Sequence, residues 1–110
     1  MKVPTIAFIL VLLTMVTVAW SKNSPQMTQK PEWERGKAVY AANCVACHGG
    51  NPSKDGPIGP ALKGSSRELL EYRVLSPEYP PGYTPKRNTR LMPAFPSLKS
   101  EMPYLADYLR

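Results

Sequence analysis

The chain begins with a long apolar segment that carries no charge. Val3 to Trp20 is apolar apart from threonines, the only mildly polar members of the run. Such an N-terminal run is typical of a secretory signal, and its length is also at the lower limit for a membrane-spanning helix. Ala19-Trp20-Ser21 offers a small-x-small cleavage site, so we favour a cleaved signal over a retained anchor. We assign residues 1–21 to this signal or anchor and the polar residues 22–31 to a linker. Any membrane association is expected through the apolar run.

Apolar residues recur at helical spacing in three later segments. Residues 32–42 predict a helix with acidic residues in its first turn, where the helix dipole favours them. Residues 65–75 predict a second helix that starts at a capping box formed by Ser65 and Glu68. A third helix is predicted near the C-terminus with Ser100 as its N-cap. Its apolar stripe consists of Leu105, Tyr108 and Leu109.

Composition adds a constraint on how this domain is held together. Thirteen prolines among 110 residues leave much of the chain in loops, above all the proline-rich residues 76–90. A domain this small buries a limited core and often relies on a disulfide, a metal or a cofactor. Cys44 and Cys47 are the only cysteines and His48 is the only histidine, so these residues are the candidates for that role.

The three residues form a single motif, Cys44-Val45-Ala46-Cys47-His48. C-x-x-C-H is the attachment signature of a c-type haem: two thiols on one helical turn add to the vinyl groups of a porphyrin, and the histidine binds the iron. A redox-active disulfide is less favoured because no strand-like run precedes Cys44. Zinc normally needs four Cys or His ligands, which is more than the chain has. The motif therefore predicts one covalent haem c and electron-transfer chemistry.

With this motif, residues 32–110 resemble the monohaem class I cytochromes c, which are small electron carriers. The resemblance also includes Gly36 and Tyr40 in the helix before the motif, and the apolar stripe of the last helix. It implies an all-α fold, with three to four short helices wrapped around one covalently bound haem. It further implies that Gly36 lets the first and last helices approach closely.

A glycine- and proline-containing segment after the motif carries more of the resemblance. Gly59-Pro60-Ala61-Leu62-Lys63-Gly64 resembles the G-P-x-L-x-G segment of the family. The resemblance implies that the carbonyl group of Pro60 accepts a hydrogen bond from His48, which fixes the imidazole tautomer and strengthens its donation to iron. It also implies that Leu62 lines the haem face on the histidine side.

The second axial iron ligand is predicted to be Met92. Met92-Pro93-Ala94-Phe95 resembles the M-P-x-F segment that supplies this ligand in the family. Elimination favours the same residue. The chain has no second histidine, and Met1, Met15 and Met27 precede the domain. Met102 lies close to the last helix. His48 and Met92 together would raise the redox potential relative to a bis-histidine site. The alternative is that Met92 only packs, leaving an open iron as in an enzyme or a gas sensor.

The resemblance implies an electron-transfer protein rather than an enzyme. Its expected role is to shuttle single electrons between periplasmic or membrane partners, for example in a respiratory chain. The alternative is a dedicated haem subunit of an oxidoreductase complex, such as a periplasmic dehydrogenase or a terminal oxidase or reductase. Export places the domain in the periplasm or at the outer face of the cytoplasmic membrane in either case.

Charge indicates what the partners look like. The formal net charge is +6, and Lys86, Arg87 and Arg90 cluster just before Met92. Positive charge close to the haem would steer redox proteins with acidic docking surfaces and speed their encounter. Anionic lipid head groups are a second candidate target, and ordinary solvated charges are the plain alternative. Nucleic-acid binding is not expected for an exported domain with so short a basic stretch.

Overall fold

The computed structural model describes residues 30–110. The predicted signal or anchor, and most of the predicted linker, lie outside the described residues. Within the described part, no helix has the length and the apolar character needed to cross a membrane.

Short helices separated by long loops make up the described domain. The α-helices are α1 (Glu32–Asn43), α2 (Val45–His48), α3 (Arg67–Leu75) and α4 (Met102–Leu109), and a 3₁₀ helix, Pro96–Glu101, precedes α4. No strand occurs between residues 30 and 110. The predicted all-α class is therefore confirmed, and the three helices expected from periodicity are present as α1, α3 and α4.

Helix α3 begins one residue later than the capping box predicted. The N-cap is Ser66, whose hydroxyl oxygen accepts a hydrogen bond from the backbone N–H of Leu69 at 3.1 Å. Ser65 instead donates its hydroxyl proton to the carbonyl oxygen of Leu62. Either of the two adjacent serines could serve as the N-cap of the helix. Because the hydroxyl group of Ser65 bonds to the preceding loop, Ser66 is the N-cap.

Helix α4 is also entered differently from the prediction. Ser100 lies inside the 3₁₀ helix, and α4 starts at Met102 with no side-chain cap. Pro96 and Pro103 each stand in the first turn of their helices, where a missing N–H removes no helical hydrogen bond. The tighter 3₁₀ turn satisfies backbone groups that a cap would otherwise serve.

The core lies where α1 and α4 cross and where α3 packs against α4. The most buried apolar side chains are Tyr40, Leu70, Val74, Met102, Leu105 and Leu109. Gly36 sits at the crossing: a Cβ atom added there would lie 1.9 Å from the backbone oxygen of Tyr104. The two helix backbones are thus in direct contact, as the resemblance implied. This close contact positions α1, and with it the Cys44–His48 turn that follows, against α4.

A bidentate ion pair joins α1 to the end of the 3₁₀ helix. The Nε and Nη2 atoms of Arg35 donate to the two carboxylate oxygens of Glu101 at 2.8 and 2.6 Å. The guanidinium group also lies over the ring of Tyr104, 4.2 Å from its centroid. The hydrogen bonds from Arg35 lower the pKa of Glu101 below its usual value of 4.5.

This ion pair predicts a small acid-dependent loss of stability. A carboxylate whose pKa is lower in the folded than in the unfolded state stabilises the fold above its unfolded pKa, and this contribution disappears as the pH falls through the folded pKa. We expect Glu101→Gln to reduce the thermal midpoint slightly at neutral pH. The difference in midpoint between the variant and the wild type should become smaller as the pH falls below 4.5. Thermal melts from pH 2 to 7 would measure it. Arg35→Gln should reproduce the same profile, and an effect that grows in acid would contradict the pairing.

Candidate functional site

One large cavity opens between the turn after α1, helix α3 and the two long loops, which are residues 49–66 and residues 76–95. Its volume is about 530 Å³ and its walls are mainly apolar. All of the site residues predicted from the sequence line it: Cys44, Cys47, His48, Pro60, Leu62 and Met92. Residues far apart in the chain are therefore brought together around one cavity.

The two cysteines are placed on the cavity by the change from α1 to α2. Cys44 ends α1 and precedes α2, and its carbonyl oxygen accepts hydrogen bonds from the N–H groups of Cys47 and His48 at 3.3 and 2.9 Å. This turn carries both thiols and the imidazole to the same wall. The two cysteines do not form a disulfide with each other. Burial, and secondarily the neighbouring Cys47, raise the pKa of the Cys44 thiol to about 11. Such a thiol is a poor thiolate nucleophile, which argues against the redox-disulfide alternative.

His48 is held in one orientation by the segment that follows the motif. The side chain is 7% exposed, and its Nδ1 atom lies 2.8 Å from the carbonyl oxygen of Pro60. Because a carbonyl oxygen only accepts, Nδ1 carries the proton and Nε2 keeps a free lone pair. A Cβ atom on Gly59 would come within 2.5 Å of the ring, so any side chain at this position would displace the imidazole.

Tyr40 fixes the backbone just beyond the histidine. Its hydroxyl group donates to the carbonyl oxygen of Gly49 at 2.7 Å, and its ring packs against that of Tyr108 with centroids 5.5 Å apart. Burial raises the pKa of Tyr40 above its ordinary value, so the phenol stays a donor. Gly49 has a φ of 79°, a conformation that glycine adopts without strain. The helix crossing is thereby linked to the position of His48.

Met92 reaches the cavity from the second long loop. It is half-buried and packs against the core together with Phe95 and Leu98. Met102, the other methionine of the described domain, is 1% exposed within the core and does not line the cavity. Of the two methionines in the described domain, Met92 is thus the one that lines the cavity.

A cluster of one arginine and two tyrosines was not predicted from the sequence. The guanidinium group of Arg73 lies 4.5 Å from the centroid of the Tyr79 ring, and Tyr79 stacks on Tyr83 with centroids 5.4 Å apart and planes 11° apart. All three line the cavity. The proline-rich composition of residues 76–90 indicated a loop, but only the fold shows that Arg73 of α3 meets it.

Two residues of the exposed basic cluster bond to other residues of the chain. Lys86 donates to the carbonyl oxygen of Ala61 at 2.8 Å, and Arg87 forms an ion pair with Asp55 at 2.7 Å. The Ala61 N–H group and then Arg87 lower the pKa of Asp55 below its ordinary value. All three predicted docking cations are exposed, and Arg90 is the one that forms no ion pair or hydrogen bond with the residues that the structure describes.

Comparison with known proteins decides the identity. The family model for cytochrome c matches residues 33–110, almost the whole described domain. The chain belongs to the cytochrome c family. A cytochrome c-553-like protein of Synechocystis sp. (strain ATCC 27184 / PCC 6803 / Kazusa) is 32% identical over 105 residues, which cover 92% of each chain. No solved structure matches the chain significantly. The class I monohaem resemblance is confirmed, and this cytochrome carries a covalently bound haem c with its iron.

The chain's own residues fit such a haem. The cavity is large and apolar, two thiols and one imidazole share a wall, and Arg73 supplies a positive charge that suits the carboxylates of a porphyrin. Family membership identifies the protein as a haem-based electron-transfer protein. We refer to the space as the haem cavity below.

Proposed function

We propose that this cytochrome is a one-electron carrier whose iron is held by His48 and Met92. The supporting observation is that one cavity is lined by both thiols of the attachment motif, by an imidazole with a free Nε2 atom and by a thioether. When bound, the haem supplies the one-electron redox couple, and a thioether ligand favours its reduced state. The protein itself forms and breaks no substrate bonds.

The residues around the ligands would set the conditions for electron transfer. Pro60 orients His48 and makes it a stronger donor by accepting its Nδ1 proton. Leu62, Phe95 and Leu98 supply apolar contacts that keep water from the interior of the haem cavity. Exclusion of water stabilises the less charged, reduced centre and preserves the axial ligands.

Redox partners are proposed to dock at the cavity mouth. Arg90 is an exposed cation close to Met92 in the chain, and Lys86 and Arg87, which precede it in the sequence, line the haem cavity. Two apolar side chains, Ile58 and Leu91, line the haem cavity. A partner with acidic groups around an apolar centre would complement this surface, and its encounter would slow as salt increases. Anionic lipid head groups are the alternative acidic surface.

A dedicated haem subunit of an oxidoreductase complex is the second candidate function. The observation in its favour is the exposure of Trp33, at 45%, and of Tyr72, at 38%, neither of which lines the haem cavity, since apolar surface of this kind is often covered in a permanent assembly. The N-terminal apolar run supports export, so either role would be carried out in the periplasm or at the outer face of the cytoplasmic membrane.

Isolation of the native holoprotein tests the proposal. We expect an intact mass that includes one haem, a ferric spectrum with the methionine–iron charge-transfer band, and rapid reversible oxidation by a one-electron acceptor. Size-exclusion chromatography of the native extract separates the two roles: a free carrier elutes alone, whereas a subunit co-elutes with a catalytic chain. A native protein without haem, or one whose ferric iron lacks the band, would contradict the proposal. The mass in membrane and soluble fractions also reports whether the apolar run is retained.

A further inference from the structure

We propose that Asp55, Lys86 and Arg87 form a latch that holds the segment carrying Met92 closed over the haem cavity. These residues are positioning residues, because they touch the loops and not the iron. The inference rests on the axial role proposed above for Met92. It assigns Lys86 and Arg87 an internal task in addition to any contact with a partner.

The latch joins the loop of residues 49–66, on the histidine side of the cavity, to the loop of residues 76–95, which carries Met92 and is called the methionine-side loop below. Arg87 donates from Nη2 to Oδ2 of Asp55 at 2.7 Å, and Lys86 donates from Nζ to the carbonyl oxygen of Ala61 at 2.8 Å. Asp55 uses its other oxygen, Oδ1, to accept the N–H group of Ala61 at 2.8 Å. Ala61 is therefore held at both its N–H and its carbonyl group. It directly follows Pro60, whose carbonyl group fixes His48.

The methionine-side loop has few other attachments. Upstream, the backbone N–H group of Tyr83 donates a hydrogen bond to the nearby carbonyl oxygen of Pro80. Downstream, the backbone N–H group of Phe95 donates to the carbonyl oxygen of Val74 in α3. Between them, residues 84–94 make no backbone–backbone hydrogen bond with any residue that the structure describes. The side chains of Lys86 and Arg87 are thus the hydrogen-bonding anchors of the segment that leads to Met92. Local opening is easiest where backbone bonds are few, so removal of an anchor should favour opening there.

The size of the effect follows from exposure. Arg87 and Asp55 are 45% and 60% exposed at their side chains, and exposed ion pairs contribute only modestly to stability. Breaking the pair should therefore raise the population of the open, methionine-dissociated state by a small factor, about 1.5- to 5-fold. Added imidazole binds ferric iron only when Met92 has left, so its apparent affinity reports this population directly.

Imidazole titration of the ferric holoprotein is the test. We expect Arg87→Gln and Asp55→Asn each to tighten the apparent imidazole affinity by about 1.5- to 5-fold. The double variant should resemble the singles rather than multiply their effects, because both changes remove the same ion pair. Lys86→Gln should act in the same direction. Arg87→Lys keeps a cation and should remain nearer to wild type than Arg87→Gln.

A matched control separates the latch from general surface charge. Arg67 and Glu71 form an ion pair of the same 2.7 Å length on α3, with exposures of 60% and 41%, and neither lines the haem cavity. Arg67→Gln should leave the imidazole affinity unchanged. Equal affinities for wild type, Arg87→Gln and Asp55→Asn, with the methionine band present, would overturn the latch and leave the axial role intact. A wild-type spectrum without that band would instead overturn the proposed ligation.

Discussion

Gly36→Ala is expected to lower the stability of the holoprotein by about 2–3 kcal/mol. In an ordinary exposed helix the same change stabilises by about 1 kcal/mol, because alanine has the higher helix propensity. Here the added Cβ atom would lie 1.9 Å from the backbone oxygen of Tyr104 and 2.8 Å from the Cβ atom of Tyr108. A backbone oxygen cannot rotate away, so α1 and α4 must separate and the core must open. For a domain of this size the thermal midpoint should fall by about 10–20 °C.

Gly50→Ala is the control for that experiment. Gly50 is exposed, and an added Cβ atom there meets nothing within 4 Å. The control should melt within a few degrees of wild type. Both variants are to be compared as haem-loaded protein by thermal melts followed by circular dichroism. A Gly36→Ala melting temperature at or above that of wild type would contradict the close helix crossing.

The parts of the site that depend on local geometry could be predicted from the sequence. The attachment of a porphyrin requires two thiols at fixed spacing followed by a histidine, and a single turn of backbone provides this spacing at Cys44, Cys47 and His48. Helices α1, α3 and α4 were recognisable for the same reason, since their apolar periodicity is local. Their starts were less certain: neighbouring residues such as Ser65 and Ser66 offer the same capping chemistry, and tertiary contacts choose between them.

The parts that depend on the path of the long loops could not be predicted. Arg73 contacts Tyr79, and Asp55 contacts Arg87, only because residues 76–95 fold back over the haem cavity. This path is determined by prolines and by a small number of side-chain contacts rather than by a repeating pattern. The basic cluster illustrates the consequence. Its charges were visible in the sequence, but the internal engagement of Lys86 and Arg87 was not.

Met92→Leu is expected to change the redox centre strongly while leaving the haem attachment motif intact. Leucine keeps the apolar volume at the half-buried site and removes the sulfur atom. If the thioether is the second axial ligand, the ferric spectrum should lose its charge-transfer band and the iron should bind added imidazole without competition. Loss of a ligand that favours ferrous iron should lower the redox potential by on the order of 0.1–0.3 V, a part of the roughly 0.8 V range that axial ligands span.

Met102→Leu is the matched control, because it is the same substitution at the other methionine of the described domain. Met102 is 1% exposed within the core and does not line the haem cavity. Its replacement should cost less than about 1.5 kcal/mol of stability and leave the spectrum and the potential unchanged. Spectra and equilibrium redox titrations of the two variants therefore separate ligation from packing. If Met92→Leu retained the band, Met92 could not be the axial ligand, and another methionine of the chain would have to bind the iron. Loss of the band in Met102→Leu alone would assign that role to Met102, whereas absence of the band from the wild type would favour the open-iron alternative.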